Sequence, residues 1–234
     1  MKQNKLRGIF VTGTDTGVGK TLVSVALMMT LAGLGRRVAG MKPVASGAHM
    51  TEAGLRNEDA MALMRQQSMP LSYDLVNPFV FAPPIAPHIA AAQAGATIRL
   101  AEIETAFQAI HAQADIIVVE GAGGWYAPIS EVATMEDIAR TLDLPVLLVV
   151  GLRLGCLNHA LLTARAIENG GVRMCGWVAN RIDADFAHWQ DNVAMLNRML
   201  PAPCLGVIEH QPHPDVEAVA RCLDLAPLRD HLES

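Results

Sequence analysis

The apolar positions of this chain fall into short unbroken runs separated by longer stretches of helical spacing. Residues 8–10 running into Val11, then 116–119, 146–151 and 205–208 are runs without a charged or polar side chain, and 37–44 and 174–180 are mostly apolar, interrupted only by Arg37, Lys42 and Asn180. Unbroken runs of this length fit strands buried on both faces of a parallel sheet, whereas half-exposed strands alternate. Residues 22–34, 58–67, 98–113, 160–168 and about 187–200 read as helices, with Asn57 as an N-cap and Gly35 as a C-cap. In residues 98–113 the helical spacing runs through Ile98, Ala101, Ile103, Ala106, Phe107 and Ile110. Pro43 ends the second strand, and residues 45–57 form a loop leaving it. Residues 70–87 are irregular, interrupted by Pro78, Pro83, Pro84 and Pro87, and serve equally as a pocket wall or a surface connection. Gly171 breaks the chain before the strand at 174–180, and after Ile208 a turn leads to helical signals that run to the C-terminus. Strands alternating with helices throughout predict an α/β fold, a doubly wound, mostly parallel sheet flanked by helices. No repeat, low-complexity tract or linker divides the chain, so residues 1–234 read as a single domain.

Composition narrows the classes. The 234 residues are 51% hydrophobic and 18% charged, which suits a soluble, well-packed domain with ample core. The net charge of -5, with no basic cluster, argues against nucleic acid or an anionic membrane as partner. The polar, basic residues 1–7 and the brief apolar run after them do not make a signal peptide, and no stretch reaches the ~20 apolar residues of a membrane span. The four cysteines, Cys156, Cys175, Cys204 and Cys222, are far apart and form no C-x-x-C pair. They read as reduced thiols in a cytoplasmic protein.

The chemistry concentrates at the strand ends. Residues 11–21, V-T-G-T-D-T-G-V-G-K-T, place a glycine-rich turn between a buried strand and a helix. Free N–H groups and the positive end of the helix dipole favour an anion there, and glycine lets a phosphate approach the backbone. Lys20 then reaches the outer phosphates and the Thr21 hydroxyl is placed for magnesium. The loop has one residue more than the usual spacing, because the glycine expected at position 14 is Thr14 and the nearest is Gly13. Lys42, Ser46, Glu58 and Asp59 follow the second strand and fall near the same phosphates. Glu120 closes the strand I-I-V-V and precedes G-A-G-G-W, the pattern of a strand-end carboxylate that meets magnesium or its water.

Beyond these general signals, the blocks V-T-G-T-D-T-G-V-G-K-T, M-K-P-V-A-S-G, L-R-N-E-D-A, V-E-G-A-G-G-W, G-C-L-N-H-A and G-W-V-A-N resemble the ATP-dependent dethiobiotin synthetases. They run in the family order from about residue 9 to residue 206, and the family's Gly-x5-Gly-Lys-Thr accounts for the extra loop residue. The resemblance implies a P-loop fold, a single ATP-dependent ligase domain, and conversion of 7,8-diaminononanoate, CO2 and ATP to dethiobiotin, ADP and phosphate. It implies Lys20 and Lys42 as catalytic cations, and Thr21, Asp59 and Glu120 as ligands of Mg2+. The nucleotide would contact Thr16, Gly17, Val18, Gly19, Leu22, Gly121, Ala122 and Gly123, with Asn180 and Arg181 at the base. Ser46 would touch the substrate. Leu154, Gly155, Cys156, Leu157 and Asn158 would anchor its carboxylate from the neighbouring subunit of a homodimer. Trp125 and Trp177 read as packing residues. The chain departs from the family pattern at Gly17, where many relatives carry an acid, and near the base, where Arg181 and Glu209-His210-Gln211 stand.

Two other classes share parts of this pattern. A ParA/MinD-like ATPase switch has the same kind of fold but carries a further lysine early in the loop, where this chain has Asp15. Amidoligases such as the cobyrinate amidation enzymes need a glutaminase domain, for which 234 residues leave no room.

Overall fold

The computed structural model describes residues 7–228. The basic start of the chain and the helical signals at its C-terminus, where they fall on residues 1–6 and 229–234, lie outside the described residues. β1 (Gly8–Gly13) passes through the glycine-rich loop into α1 (Lys20–Gly33) and then β2 (Val38–Met41). The chain next leaves the main sheet through β3 (Val44–Ala45), β4 (His49–Thr51), β5 (Gly54–Arg56), α2 (Glu58–Gln66), α3 (Tyr73–Val76), β6 (Phe79–Val80) and α4 (Pro87–Gln93). It returns along α5 (Leu100–His111) to β7 (Ile116–Gly124). The rest alternates: α6 (Met135–Thr141), β8 (Val146–Gly151), α7 (Cys156–Asn169), β9 (Met174–Asn180), α8 (Trp189–Met199), β10 (Cys204–Ile208) and α9 (Val216–Cys222).

Six strands form one parallel sheet in the order β10-β9-β8-β1-β7-β2. β1 lies between β7 and β8, so the chain builds outward on one side after β1 and on the other after β7. That reversal opens a crevice beyond the carboxyl end of β1, where ligands bind in sheets of this class. Alternate side chains of the unbroken apolar runs serve two cores. Ile9, Val11, Val118, Val149 and Val178 face α1 and α9, while Phe10, Val119, Leu148 and Trp177 face the layer of α5 to α8. Hence the strands show no polar alternation: neither face meets water.

Several boundaries differ from the sequence expectation. The strand expected over 37–44 is split, because Pro43 has no N–H for a ladder and the chain turns out of the sheet after Met41. Val44 and Ala45 instead pair with Phe79 and Val80 in a separate two-stranded ribbon. The expected loop at 45–57 contains the β4–β5 hairpin, and the irregular stretch at 70–87 contains α3, β6 and the first residue of α4. α4 and α6 were not expected. α4 begins on Pro87, where a proline fits because that N–H has no helical partner. Before α6, Asp137 Oδ2 accepts the Thr134 N–H at 2.8 Å, a capping signal that T-M-E-D carries in the sequence. α7 begins at Cys156 rather than 160.

Gly40 on β2 is fixed by packing. A Cβ there would lie 2.7 Å from Leu63 Cβ and 3.1 Å from Met28 Cε, so α1 and α2 seat against bare backbone. Gly40→Ala should lower stability by about 1–3 kcal/mol, read as a lower urea midpoint with an unchanged slope. Gly33→Ala, in the last turn of α1 with no atom within 4 Å of the added carbon, should be neutral or stabilising. Equal effects at the two positions would refute this packing account.

Candidate active site

The carboxyl ends of β1, β2, β7 and β9 bring the candidate residues together. At the end of β1 the loop turns through Gly17 (φ 75°) and Gly19 (φ 90°) into α1. Gly19 is doubly constrained, by its left-handed backbone and because a Cβ would meet Asn180 Nδ2 at 2.2 Å. No side chain caps α1, so its first-turn N–H groups face the cleft. A Cβ at Gly17 meets nothing within 4 Å, so that position constrains only the backbone.

Lys20 lies in the first turn of α1 and its Nζ donates to the Asp15 carbonyl at 2.9 Å. Lys42, just beyond β2, is 3% exposed and spends all three ammonium hydrogens: on Glu120 Oε1 at 2.6 Å, Asp59 Oδ2 at 2.8 Å and the Gly121 carbonyl at 3.2 Å. Thr21 Oγ1 donates to the same Glu120 oxygen at 2.9 Å. Glu120 is fully buried, and its other oxygen, Oε2, has no hydrogen-bond partner.

Burial alone would push Lys42 down, but the charges of Glu120 and Asp59 outweigh it and hold the ammonium above its usual range. Burial pushes Asp59 up, yet Lys42, Thr21 and Lys20 together hold its carboxyl below the usual range. For Lys20 the balance reverses: burial, then the like charge of Lys42, outweigh the pull of Glu120, Asp59 and Asp15 and bring it down to about 8.

These groups border a cleft of about 810 Å³. Of the residues singled out in the sequence, Thr16, Gly17, Gly19, Lys20, Thr21, Lys42, Ser46, Asp59, Glu120, Ala122 and Gly123 line it. Its far wall is apolar, formed by Pro84, Ile85, Ala86, Pro87, Ala127 and Pro128. Of the two readings of the proline-rich stretch, the structure therefore shows the pocket wall. A second cavity of about 310 Å³ adjoins the loop at Gly17 and Gly19 and holds Leu22, Asn180 and Arg181 beside Glu209, His210 and Gln211. Asn180 Nδ2 donates to the Val18 carbonyl at 2.9 Å, tying β9 to the phosphate loop. Val18 itself is buried under that loop, and Gly121 lines neither cavity, though its carbonyl receives Lys42.

Leu154, Gly155, Cys156, Leu157 and Asn158 line neither cavity of their own chain. They form the first turn of α7 and its approach; Gly155 is the cap residue, and Leu154 is 89% exposed. Trp125 and Trp177 are buried core residues, Trp125 meeting the Phe10 ring edge-on. A larger hollow lies elsewhere, around Arg7, Arg140 and Leu144, away from every residue of the phosphate loop.

The oxygen set of Thr21, Asp59 and Glu120 fits a hard cation, and the orphaned Glu120 Oε2 supplies unused lone pairs in a dry position. Among the described residues no three His, Cys, Asp or Glu side chains gather as a metal cage. Sequence reading offered the proline stretch as a pocket wall but missed Ala127 and Pro128 on that wall and the supports of Lys42, which nothing local marked.

A parallel sheet with a glycine loop opening onto an uncapped helix, a lysine in its first turn and a buried carboxylate on the neighbouring strand defines a P-loop nucleotide-binding protein. In agreement, a family model described as an AAA domain matches residues 7–218. Among solved structures, the MinD cell division protein of Aquifex aeolicus matches with TM-score 0.55 and 18% identity over 88% of this chain and 83% of that one. Pyrococcus horikoshii MinD, complexed with Mg-ADP, matches with TM-score 0.55 and 14% identity over 88% and 82%. At such identities the likeness concerns the fold alone. Curated relatives are far nearer in sequence. The ATP-dependent dethiobiotin synthetase BioD 1 of Salmonella typhi is 48% identical over 94% of this chain and 96% of its own length. The corresponding BioD of Pseudomonas aeruginosa is 49% identical over 94% and 96%, and that of Xylella fastidiosa 46% over 96% and 99%. This chain belongs to the ATP-dependent dethiobiotin synthetases and is thus an ATP-dependent ligase of biotin biosynthesis.

The depressed Lys20 predicts a pH signature. A phosphate favours the charged lysine, so nucleotide binding above about pH 8 must take up a proton. ADP affinity should fall as pH rises through that value, by at most about tenfold per pH unit. Calorimetry in buffers of different ionisation enthalpy at about pH 9 measures the proton. Binding there without proton uptake, and with undiminished affinity, would contradict the assignment.

Proposed function

We propose that the cleft converts 7,8-diaminononanoate, CO2 and MgATP to dethiobiotin, ADP and phosphate, within a single domain and with a homodimer as the working unit. The observation that carries the residue assignment is the buried Lys42 ammonium held between Asp59 and Glu120, opposite Lys20 across the phosphate cleft.

Phosphoryl transfer needs little from a protein beyond positioning and neutralising charge. The loop N–H groups and Lys20 hold the β and γ phosphates, while Thr16, Gly17, Val18, Gly19 and Leu22 shape the loop and helix start. Ala122 and Gly123 close the opposite side. Thr21, Asp59 and Glu120 would hold Mg2+, which supplies positive charge to the phosphates. One substrate amine takes up CO2 as a carbamate and releases a proton. The carbamate oxygen bonds to the γ-phosphorus as the bond to ADP breaks, giving a carbamic-phosphoric anhydride. The second amine attacks the carbonyl carbon and expels phosphate, closing the ureido ring. Lys42, a point charge held above its usual pKa, stays cationic at neutral pH and stabilises the carbamate and the transferred group. Ser46 contacts the reacting amines, and the hydrocarbon chain lies along Ile85, Ala86 and Pro128. The purine occupies the smaller cavity by Asn180 and Arg181.

The substrate carboxylate is anchored in trans by the partner's copy of residues 154–158. Support comes from the placement of that turn outside its own chain's cleft, and from Leu154, Leu162, Met195 and Met199, which leave apolar side chains exposed on the α7–α8 layer. Among the described residues no helix is long and apolar enough to cross a membrane, and all four cysteines are free thiols. Both features suit a cytoplasmic enzyme.

Incubating the purified protein with diaminononanoate, bicarbonate and MgATP should yield dethiobiotin by mass spectrometry; folded protein that makes none refutes the reading. Lys42→Gln keeps hydrogen-bond donors for the two carboxylates but removes the charge. It should lower kcat by about 10²–10³-fold, with ADP affinity changed by less than about tenfold. Matching losses in both would reduce Lys42 to a phosphate grip. Sedimentation at assay concentration should find a dimer, and a fully active monomer would remove the shared anchor.

A further inference from the structure

The junction that carries Lys42 is tied to the start of α2 by a closed set of buried hydrogen bonds. Tyr73 Oη donates to Asn77 Oδ1 and accepts the Asn57 N–H, each at 2.8 Å. Asn77 Nδ2 donates to the Lys42 carbonyl at 2.6 Å and the Phe79 carbonyl at 3.2 Å, and the Lys42 N–H donates to the Val76 carbonyl at 2.8 Å. Asn57 Oδ1 caps α2 by accepting the Asp59 and Ala60 N–H groups at 3.1 and 3.3 Å, while its Nδ2 donates to the Ser46 carbonyl at 3.4 Å. Asn57, Tyr73 and Asn77 are all buried, and the Arg56 guanidinium lies 4.1 Å over the Tyr73 ring.

The arms of this network end on the main chain at Lys42, Asp59 and Ser46, three residues that line the cleft. A buried network with each polar group satisfied holds one geometry. β2 and α2 already pack directly, Leu63 against Gly40, and the network adds a polar tie between their ends at the cleft. The reach of that constraint is the Lys42–Asp59 contact at 2.8 Å, made between side chains on those two elements.

We propose that Tyr73 is a positioning residue for phosphoryl transfer: acting through Asn77 and Asn57, it sets the spacing between the Lys42 ammonium and the Asp59 carboxylate. The inference rests on the reading that Lys42 and Asp59 serve the transfer. Tyr73 touches neither side chain and acts only through the two asparagines.

Tyr73→Phe deletes one oxygen and keeps the ring beneath Arg56. Its kcat should fall about tenfold, since displacements below an ångström already misalign a reacting group. ADP affinity without magnesium should stay within about twofold, while the gain in ADP affinity on adding Mg2+, read by calorimetry, should shrink about fivefold. Asn77→Asp, which keeps an acceptor for Tyr73 and removes the donor to the Lys42 carbonyl, should show the same split and decides the matter if Tyr73→Phe does not fold. A lower melting temperature with wild-type kcat and an undiminished Mg2+ gain would make the network merely structural and overturn the proposal. Lys42→Gln run in parallel separates the two failures. If it retains wild-type kcat, the reading of Lys42 falls; if it is inactive while both network variants match wild type, only the role of Tyr73 falls.

Discussion

The burial of one ammonium group governs the layout of this protein's working end. Lys42 and Glu120 meet at 2.6 Å with almost no access to solvent. Removing two such charges from water costs several kcal/mol for each, and attraction offsets that only when every remaining donor and acceptor is matched. Lys42 satisfies this condition, with Asp59 and the Gly121 carbonyl taking its other hydrogens; Glu120 does not, because Oε2 is orphaned. The pair is therefore poor evidence for stability and better evidence for a ligand. A buried carboxylate oxygen without a partner is an expensive feature that a cation at the cleft would relieve. Charge balance agrees. Lys20 and Lys42 against Asp59 and Glu120 leave the cluster near neutral, so the several negative charges of a nucleoside triphosphate require an added cation to enter it.

That pair forms where β2 leaves the sheet and β7 runs on. Glu120 lies beside Val11 of β1 in register, so its carboxylate reaches the turn into α1, where Thr21 meets it. β2 runs beside β7 only as far as the Met41–Val119 pairing, and the next residue is Lys42. Parallel register thus sets the lysine that follows β2 level with Glu120, which lies within β7 where that strand outruns β2. Departure of the chain at Pro43 keeps Lys42 turned into the site rather than continuing the strand.

Much of this was legible in the sequence. The two-faced burial of the sheet is written in strands that lack alternation, and the phosphate loop stands at a strand end by pattern alone; Glu120, expected to close its strand, instead lies within β7, which runs on to Gly124. α6 was legible and overlooked, since its capping signal is local. The supports of Lys42 were not, because Asn57, Tyr73 and Asn77 come from separate turns and become a network only when the chain folds back on itself. Tyr73 and Asn77 are i, i+4 neighbours in a stretch whose prolines made it look irregular. Tertiary contacts with main-chain groups of β2's exit gave them their role, and no propensity encodes that. The placement of residues 154–158 away from their own cleft was implied only by the family resemblance, as sequence order by itself says nothing of which cleft a turn faces.

The extra residue in the phosphate loop separates this enzyme from the switches whose fold it shares. Asp15 occupies the position at which the MinD-like proteins of the resemblance carry a further lysine. The Thr16 N–H, then Arg153, hold its carboxyl below the usual range, so it is an anion at neutral pH, paired within its own chain. Its carbonyl meanwhile receives Lys20. One residue thus gives the loop an internal partner for its lysine and sets a negative charge where a switch would present a positive one to a partner's nucleotide. The likeness to MinD concerns the sheet alone; what a loop on that sheet does rests on its own side chains, and here Asp15 ties it to Lys20 and Arg153 within the chain.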